Sequence, residues 1–190
     1  MKPHLLSNER ARSGGRLIIA VFAEVPLPGR CLKSLIPYND EGWLARLSAA
    51  MLRDTLDGLE IVPAHRYVVL ADTKDDEGRR ILERHLPLPW TLGSVEELDA
   101  SDGFIVASPL APAAHIEDLI ALAERPSFEV VGRDEIGDLW LYGVRAECKD
   151  LVTLPPAIIV ESQPTLEALL DELRRNHERA PRTAQLAMTS

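Results

Sequence analysis

Aromatic side chains are scarce in this chain: three Trp, three Tyr and three Phe make up 5% of its 190 residues. The formal net charge is −9. A chain with so few rings to stack on bases, and no basic stripe to displace counterions, is not built to hold a nucleic acid. Cysteine is nearly absent as well. Cys31 and Cys148 stand far apart and form no C-x-x-C pair, which excludes a disulfide scaffold and fits two reduced thiols in a cytoplasmic protein. No apolar run reaches the roughly 20 residues that span a bilayer, so no membrane partner is expected. The opening "MKPHLLSNERARSGGR" has basic residues without the apolar stretch of a secretion signal. The five histidines form no H-E-x-x-H, and no serine sits in G-x-S-x-G. Zinc-protease and serine-hydrolase chemistry therefore have no support.

What remains has the ordinary balance of a globular domain, 46% hydrophobic and 27% charged, long enough to bury a core without staples. "RLIIAVFA" (16–23) is a continuous apolar run with β-branched members, the pattern of a strand covered on both faces. "RYVVLA" (66–71) and "GFIVAS" (103–108) repeat it. Between them, "GWLARLSAAMLRDTLDGLE" (42–60) places Leu44, Leu47, Met51, Leu52, Thr55, Leu56 and Leu59 on one side at helical spacing, with Asn39 or Asp40 available as a cap. "DTKDDEGRRILERHL" (72–86) reads as a capped surface helix, and "HIEDLIALAER" (115–125) as another helix. Residues 127–133 and 138–146 predict two strands joined by "DEIG", paired antiparallel at an edge or excursion of the sheet. "AIIVE" (157–161) predicts a last strand, and "QPTLEALLDELRRNHER" (163–179) a closing helix with Pro164 in its first turn. Alternating strands and helices predict one α/β domain with a mainly parallel sheet and helices on both faces. Its bounds are 16–179, between a flexible arm at 1–15 and a flexible tail at 180–190.

Directly after the first strand comes "EVPLPGRCLKSLIP" (24–37). In open α/β sheets ligands sit beyond the carboxyl ends of strands, and this loop lies there, ahead of a helix N-terminus. Gly29 allows close backbone approach, and Arg30 and Lys33 supply the charge a phosphate needs. It is neither a Walker A loop nor G-x-G-x-x-G. A phosphate site and a rigid proline-rich connection both satisfy the pattern. Among other candidates, His115 at a helix start reads as a surface or capping residue, and Asp102 before Gly103 as a turn acid.

The loop with Pro26, Pro28, Gly29 and Arg30, followed by a helix with Ala45, Arg46, Leu47, Met51, Leu52, Asp54, Thr55 and Leu56, resembles the start of a bacterial family. That family consists of small glycosyltransferase-A-like proteins of the nucleotide-diphospho-sugar transferase superfamily, related to the 2-phospho-L-lactate guanylyltransferases. The resemblance is specific over about 20–60 and weaker but collinear to about 170. It implies a glycosyltransferase-A-like (Rossmann-like) sheet and a nucleotide pocket over the first strand; the candidate nucleotide- or phosphate-binding residues are Pro28, Gly29, Arg30, Lys33 and Ser108.

The chain departs from the family pattern where that pattern carries metal and phosphate. The metal-holding aspartate of the middle strand falls on Ala107, beside Ser108; a second aspartate falls on Ile136; an aspartate-x-aspartate stretch becomes "VESQP", leaving Glu161. In the loop, Leu32 replaces a lysine, Lys33 is displaced by one, and a further cation falls on Ser34. An alanine methyl cannot hold Mg²⁺, which demands oxygen donors. No bound metal is therefore expected, with Asp138 and Glu161 as weak candidates; Mg²⁺ or Mn²⁺ enters only if the protein is active. The catalytic residues stay unassigned. The expectation is a divergent nucleotidyl- or glycosyltransferase-like protein with weak or no turnover. An active transferase with a rearranged site and a non-catalytic binding or assembly module are the alternatives, and an oligomer is compatible with either.

Overall fold

β1 (Leu17–Ala23) runs through the interior of a seven-stranded sheet, paired in parallel with β2 (His65–Leu70) on one side and β4 (Gly103–Ala107) on the other. Six of its seven residues are buried, as its unbroken apolar sequence requires of a strand covered on both faces. The computed structural model describes residues 16–72, 74–99, 101–146 and 150–189. The expected arm at 1–15 and Cys148 lie outside them.

The sheet order is β3-β2-β1-β4-β6-β5-β7, completed by β3 (Thr91–Gly93), β5 (Phe128–Arg133), β6 (Leu139–Arg145) and β7 (Leu151–Thr153). Four of the six strand pairings are parallel; β6 runs antiparallel to both β4 and β5. The antiparallel hairpin expected at an edge or excursion of the sheet is built into it, with β6 between β4 and β5. The edges are instead β3 and β7, three residues each, short enough to offer little to a foreign strand. Residues 157–161 do not form the predicted last strand. Pro155 and Pro156 have no N–H for a ladder, so β7 pairs earlier. The segment buries Ile159 and Val160 and is held by Val160 N donating to Leu110 O at 2.9 Å.

Helices flank both faces unequally. α1 (Glu41–Leu59), capped by the Asp40 carboxylate at Trp43 N, turns Leu52, Leu56 and Leu59 toward Leu17, Ile19 and Val21. α2 (Asp76–His85) and α4 (Asp118–Ala123) add Leu82, Leu119 and Leu122 to the same core. On the opposite face, Leu98 of α3 (Val95–Asp99) packs with Ile18, Ala20 and Val69.

α1 is apolar on a second side too. Leu44, Leu47 and Met51 pack not on the sheet but against α5 (Gln163–Arg175) and α6 (Pro181–Thr189), through Leu166, Leu169, Leu173 and Ala184. The flexible tail expected at 180–190 is corrected here. Residues 181–189 form a helix with Thr183, Ala184 and Ala187 buried, and its small residues carry too weak a hydrophobic stripe to announce it.

Candidate functional site

The loops after β1, β2 and β4, and the β5–β6 hairpin, all leave the carboxyl edge of the parallel strands, where the switch between β1 and β4 opens a crevice. The first loop explains its own composition. Arg30 N donates to Leu27 O at 3.0 Å across Pro28 and Gly29, and Gly29 has φ +72°. This is a type II turn, with proline preset at its second position and glycine at its third, where a side chain would be strained. Pro28 and Gly29 therefore shape the loop and bring out Arg30.

The Arg30 guanidinium pairs with the Asp75 carboxylate and, at 3.2 Å, with Glu77. Asp75 is 11% exposed at its side chain and Glu77 77%. Asp75 also caps α2, accepting from Gly78 N at 2.9 Å. That amide, and then the guanidinium, hold the Asp75 carboxyl below its ordinary range. A third acid, Glu24, accepts from Leu32 N at 3.1 Å, which steadies Leu32 in its left-handed conformation (φ 48°). Lys33 begins a 3-10 turn, Lys33–Leu35, is exposed, and has no ion-pair partner among the described residues.

These groups surround a cavity of about 280 Å³ whose wall includes Glu24, Arg30, Lys33, Ala71, Asp72 and Asp75. Two cations thus face three carboxylates. The cations suit phosphate oxygens, and the carboxylates can accept hydrogen bonds from ribose hydroxyls or base amino groups. The sequence reading found Arg30 and Lys33 but missed Glu24, Asp72 and Asp75. The signal was present: Glu24 directly follows β1, Asp72 lies two residues beyond β2, and Asp75 stands where a helix cap belongs.

Ser108 is not brought to Arg30 and Lys33. It lines a separate cavity, where its hydroxyl accepts from Leu110 N at 3.2 Å and its own N–H donates to Trp140 O at 2.8 Å. Ala107 is 3% exposed, in the core between Val21 and Leu141. Ile136 is 85% exposed in the hairpin loop, where Asp134 accepts from the amides of Ile136, Gly137 and Asp138. Asp138 is exposed in that turn. Glu161 is exposed next to the first loop, its carbonyl accepting from the Ser34 hydroxyl at 2.8 Å. Ser34, where the family pattern has a cation, thus ties the loop to the start of α5. Asp102 accepts from Arg16 N at 2.9 Å at the opposite, amino edge of β4. The residues at the family's metal positions do not fit a divalent ion: one is a buried methyl, one an exposed alkyl chain.

No family model matches the chain, and no curated protein does. Solved structures do. A candidate nucleotide-diphospho-sugar transferase from Desulfovibrio desulfuricans G20 superposes with a TM-score of 0.73 over 91% of this chain and 97% of its own, at 14% identity. The fold is shared. Rv0371c from Mycobacterium tuberculosis H37Rv and its homolog from Mycobacterium sp. strain JC1 each give 0.50 at 14% identity, over 84% of this chain and 100% and 98% of theirs. At this identity the likeness establishes architecture and leaves the chemistry to the residues.

Proposed function

We propose that this protein binds a nucleotide or nucleotide-sugar in the cavity at the carboxyl ends of β1 and β2, with weak or no transferase turnover. The observation that carries this reading is the convergence of Arg30 and Lys33 on one cavity beside the central strand. Glu77 is exposed, and an exposed ion pair contributes only about 0–1 kcal/mol. A phosphate can therefore take its place while Asp75 keeps the guanidinium aimed. Lys33 supplies the second, uncommitted charge.

Weak turnover follows from the missing carboxylates. Phosphoryl and glycosyl transfer depend on positioning and charge stabilisation, and Ala107 and Ile136 offer neither.

One observation favours a second reading, a rigid loop in a non-catalytic binding or assembly module: Arg30 is already paired twice. Thermal shift with GTP, CTP and UDP-sugars, with and without Mn²⁺, separates the two. A ligand at about 100 times its Kd stabilises by about 2.7 kcal/mol, and a flat response to every nucleotide supports the rigid-loop reading.

A further inference from the structure

On the face of the sheet that α3 shares, Leu98 packs with Ile18, Ala20 and Val69 and borders Phe104 and Val106. Beyond β4 the register aligns Phe104, Val144, Glu129 and Leu151 in one row across β4, β6, β5 and β7. Val106, Tyr142, Val131 and Thr153 form the next row. Tyr142 is 37% exposed and Leu151 55%. Neither they nor Val144 enter a hydrophobic core among the described residues.

A sheet with one face in water alternates apolar and polar side chains along each strand. These strands do not. Six of the eight side chains in the two rows are hydrophobic, and Glu129 alone of the eight carries a charge. Such a pattern belongs to a covered face, and a contiguous apolar patch marks an interaction surface.

The placement of charge says what covers it. In the order β1-β4-β6-β5, the central pair is β4 and β6, where the Phe104 and Tyr142 rings meet at 6.2 Å between centroids. β1 and β5 flank that pair symmetrically. Arg16, just ahead of β1, lies on this face over the Tyr67 ring. Glu129 of β5 lies on the same face, where it accepts from the Tyr142 hydroxyl at 3.5 Å. Leu17 and Phe128 stand level in the sheet, through Gly103 and Arg145, so Arg16 and Glu129 are two residues apart along the strand direction. A two-fold axis parallel to the strands, over the β4–β6 pair, therefore brings Arg16 of each copy to Glu129 of the other. An aromatic, uncharged centre with charges at the rim is the anatomy of a protein interface. An anionic lipid surface is attracted by clustered cations, and the charge within this face is a carboxylate.

We infer that this face docks a second copy of the chain, sheet on sheet, in a two-fold symmetric dimer. A patch of four short strands is at the small end of stable interfaces, so the dimer is concentration-dependent.

The test is sedimentation equilibrium of the full-length protein from micromolar to millimolar concentration, which should show monomer and dimer and no larger species. Tyr142→Asp should abolish the dimer and keep the wild-type circular dichroism spectrum. Glu129→Arg and Arg16→Glu should each weaken it about ten-fold, because two symmetry-related rim pairs turn repulsive. The combined Arg16→Glu/Glu129→Arg variant should return to near the wild-type constant. In a mixture of isotope-labelled and unlabelled wild-type protein, intermolecular NOEs should link the Val144 methyls to the Phe104 and Tyr142 rings. A monomer at every concentration overturns the inference, whether residues 1–15 or a different protein is then found on the face. So does a dimer that Tyr142→Asp leaves intact, a charge swap that restores nothing, or NOEs confined to another surface. Should Tyr142→Asp fail to fold, the charge swap and the wild-type NOEs decide.

Discussion

The Asp54 carboxylate, on α1, accepts from both the amide and the hydroxyl of Thr183, each at 2.8 Å, across 129 positions of sequence. Its other oxygen accepts from Arg182. One fully buried acid thereby caps α6, whose first amides would otherwise lack acceptors. Asp54→Ala should cost roughly 2–4 kcal/mol, the range for stranding buried partners of a charge. Asp54→Asn should recover part of it. Urea denaturation of the two variants checks the order.

Met51 lies on the same helix, 1% exposed between α1 and the C-terminal helices. Met51→Asp puts a carboxylate there with no cation placed to receive it. A loss of more than about 4 kcal/mol is expected, read as the absence of a cooperative thermal transition by circular dichroism.

β1 and α1 were legible because each carries one strong period: an unbroken apolar run, and leucines at helical spacing. Even so, helical spacing did not show that Leu44, Leu47 and Met51 face α5 and α6 and not the sheet. The stripe of α1 is wide enough to serve two layers, and sequence alone does not divide it. α6 was missed because its buried residues are alanines and a threonine, and because its cap comes from Asp54. β3 and α3 were missed because three and five residues carry too little periodicity. At the site, Arg30 was legible from its loop, but its partners Asp75 and Glu77 were not. That pairing arises only when the parallel order of β1 and β2 sets their two loops side by side.

The Thr55 hydroxyl, buried without a hydrogen-bond partner, yields a prediction with the opposite sign from most core changes. Thr55→Val removes a buried unpaired polar group and keeps the side-chain shape, so stability should rise by roughly 0.5–1.5 kcal/mol. Differential scanning calorimetry without added ligand measures it. A loss of stability would mean that the hydroxyl is paired in solution.

Asp75 links stability to pH. Its folded pKa is lowered by Gly78 N–H and Arg30. Its contribution is therefore full above the unfolded value of about 3.9 and is lost as pH falls through the lower folded value. Asp75→Asn lacks the contribution at every pH. The gap in Tm between wild type and variant should be constant near neutrality and close as the solution is acidified below about pH 4.

The central claim is that Arg30 and Lys33 hold the phosphates of a nucleotide beside β1. Isothermal titration of GTP, CTP and UDP-sugars, with and without Mn²⁺, into wild type and the Arg30→Ala/Lys33→Ala variant tests it most directly. Saturable binding of at least one of them by the wild type is expected without any need for Mn²⁺. The double variant should be weaker by about ten-fold or more, the loss of two charge-assisted contacts. Equal affinity in the two proteins, or no binding by the wild type, would contradict the claim and leave the loop as a rigid connector.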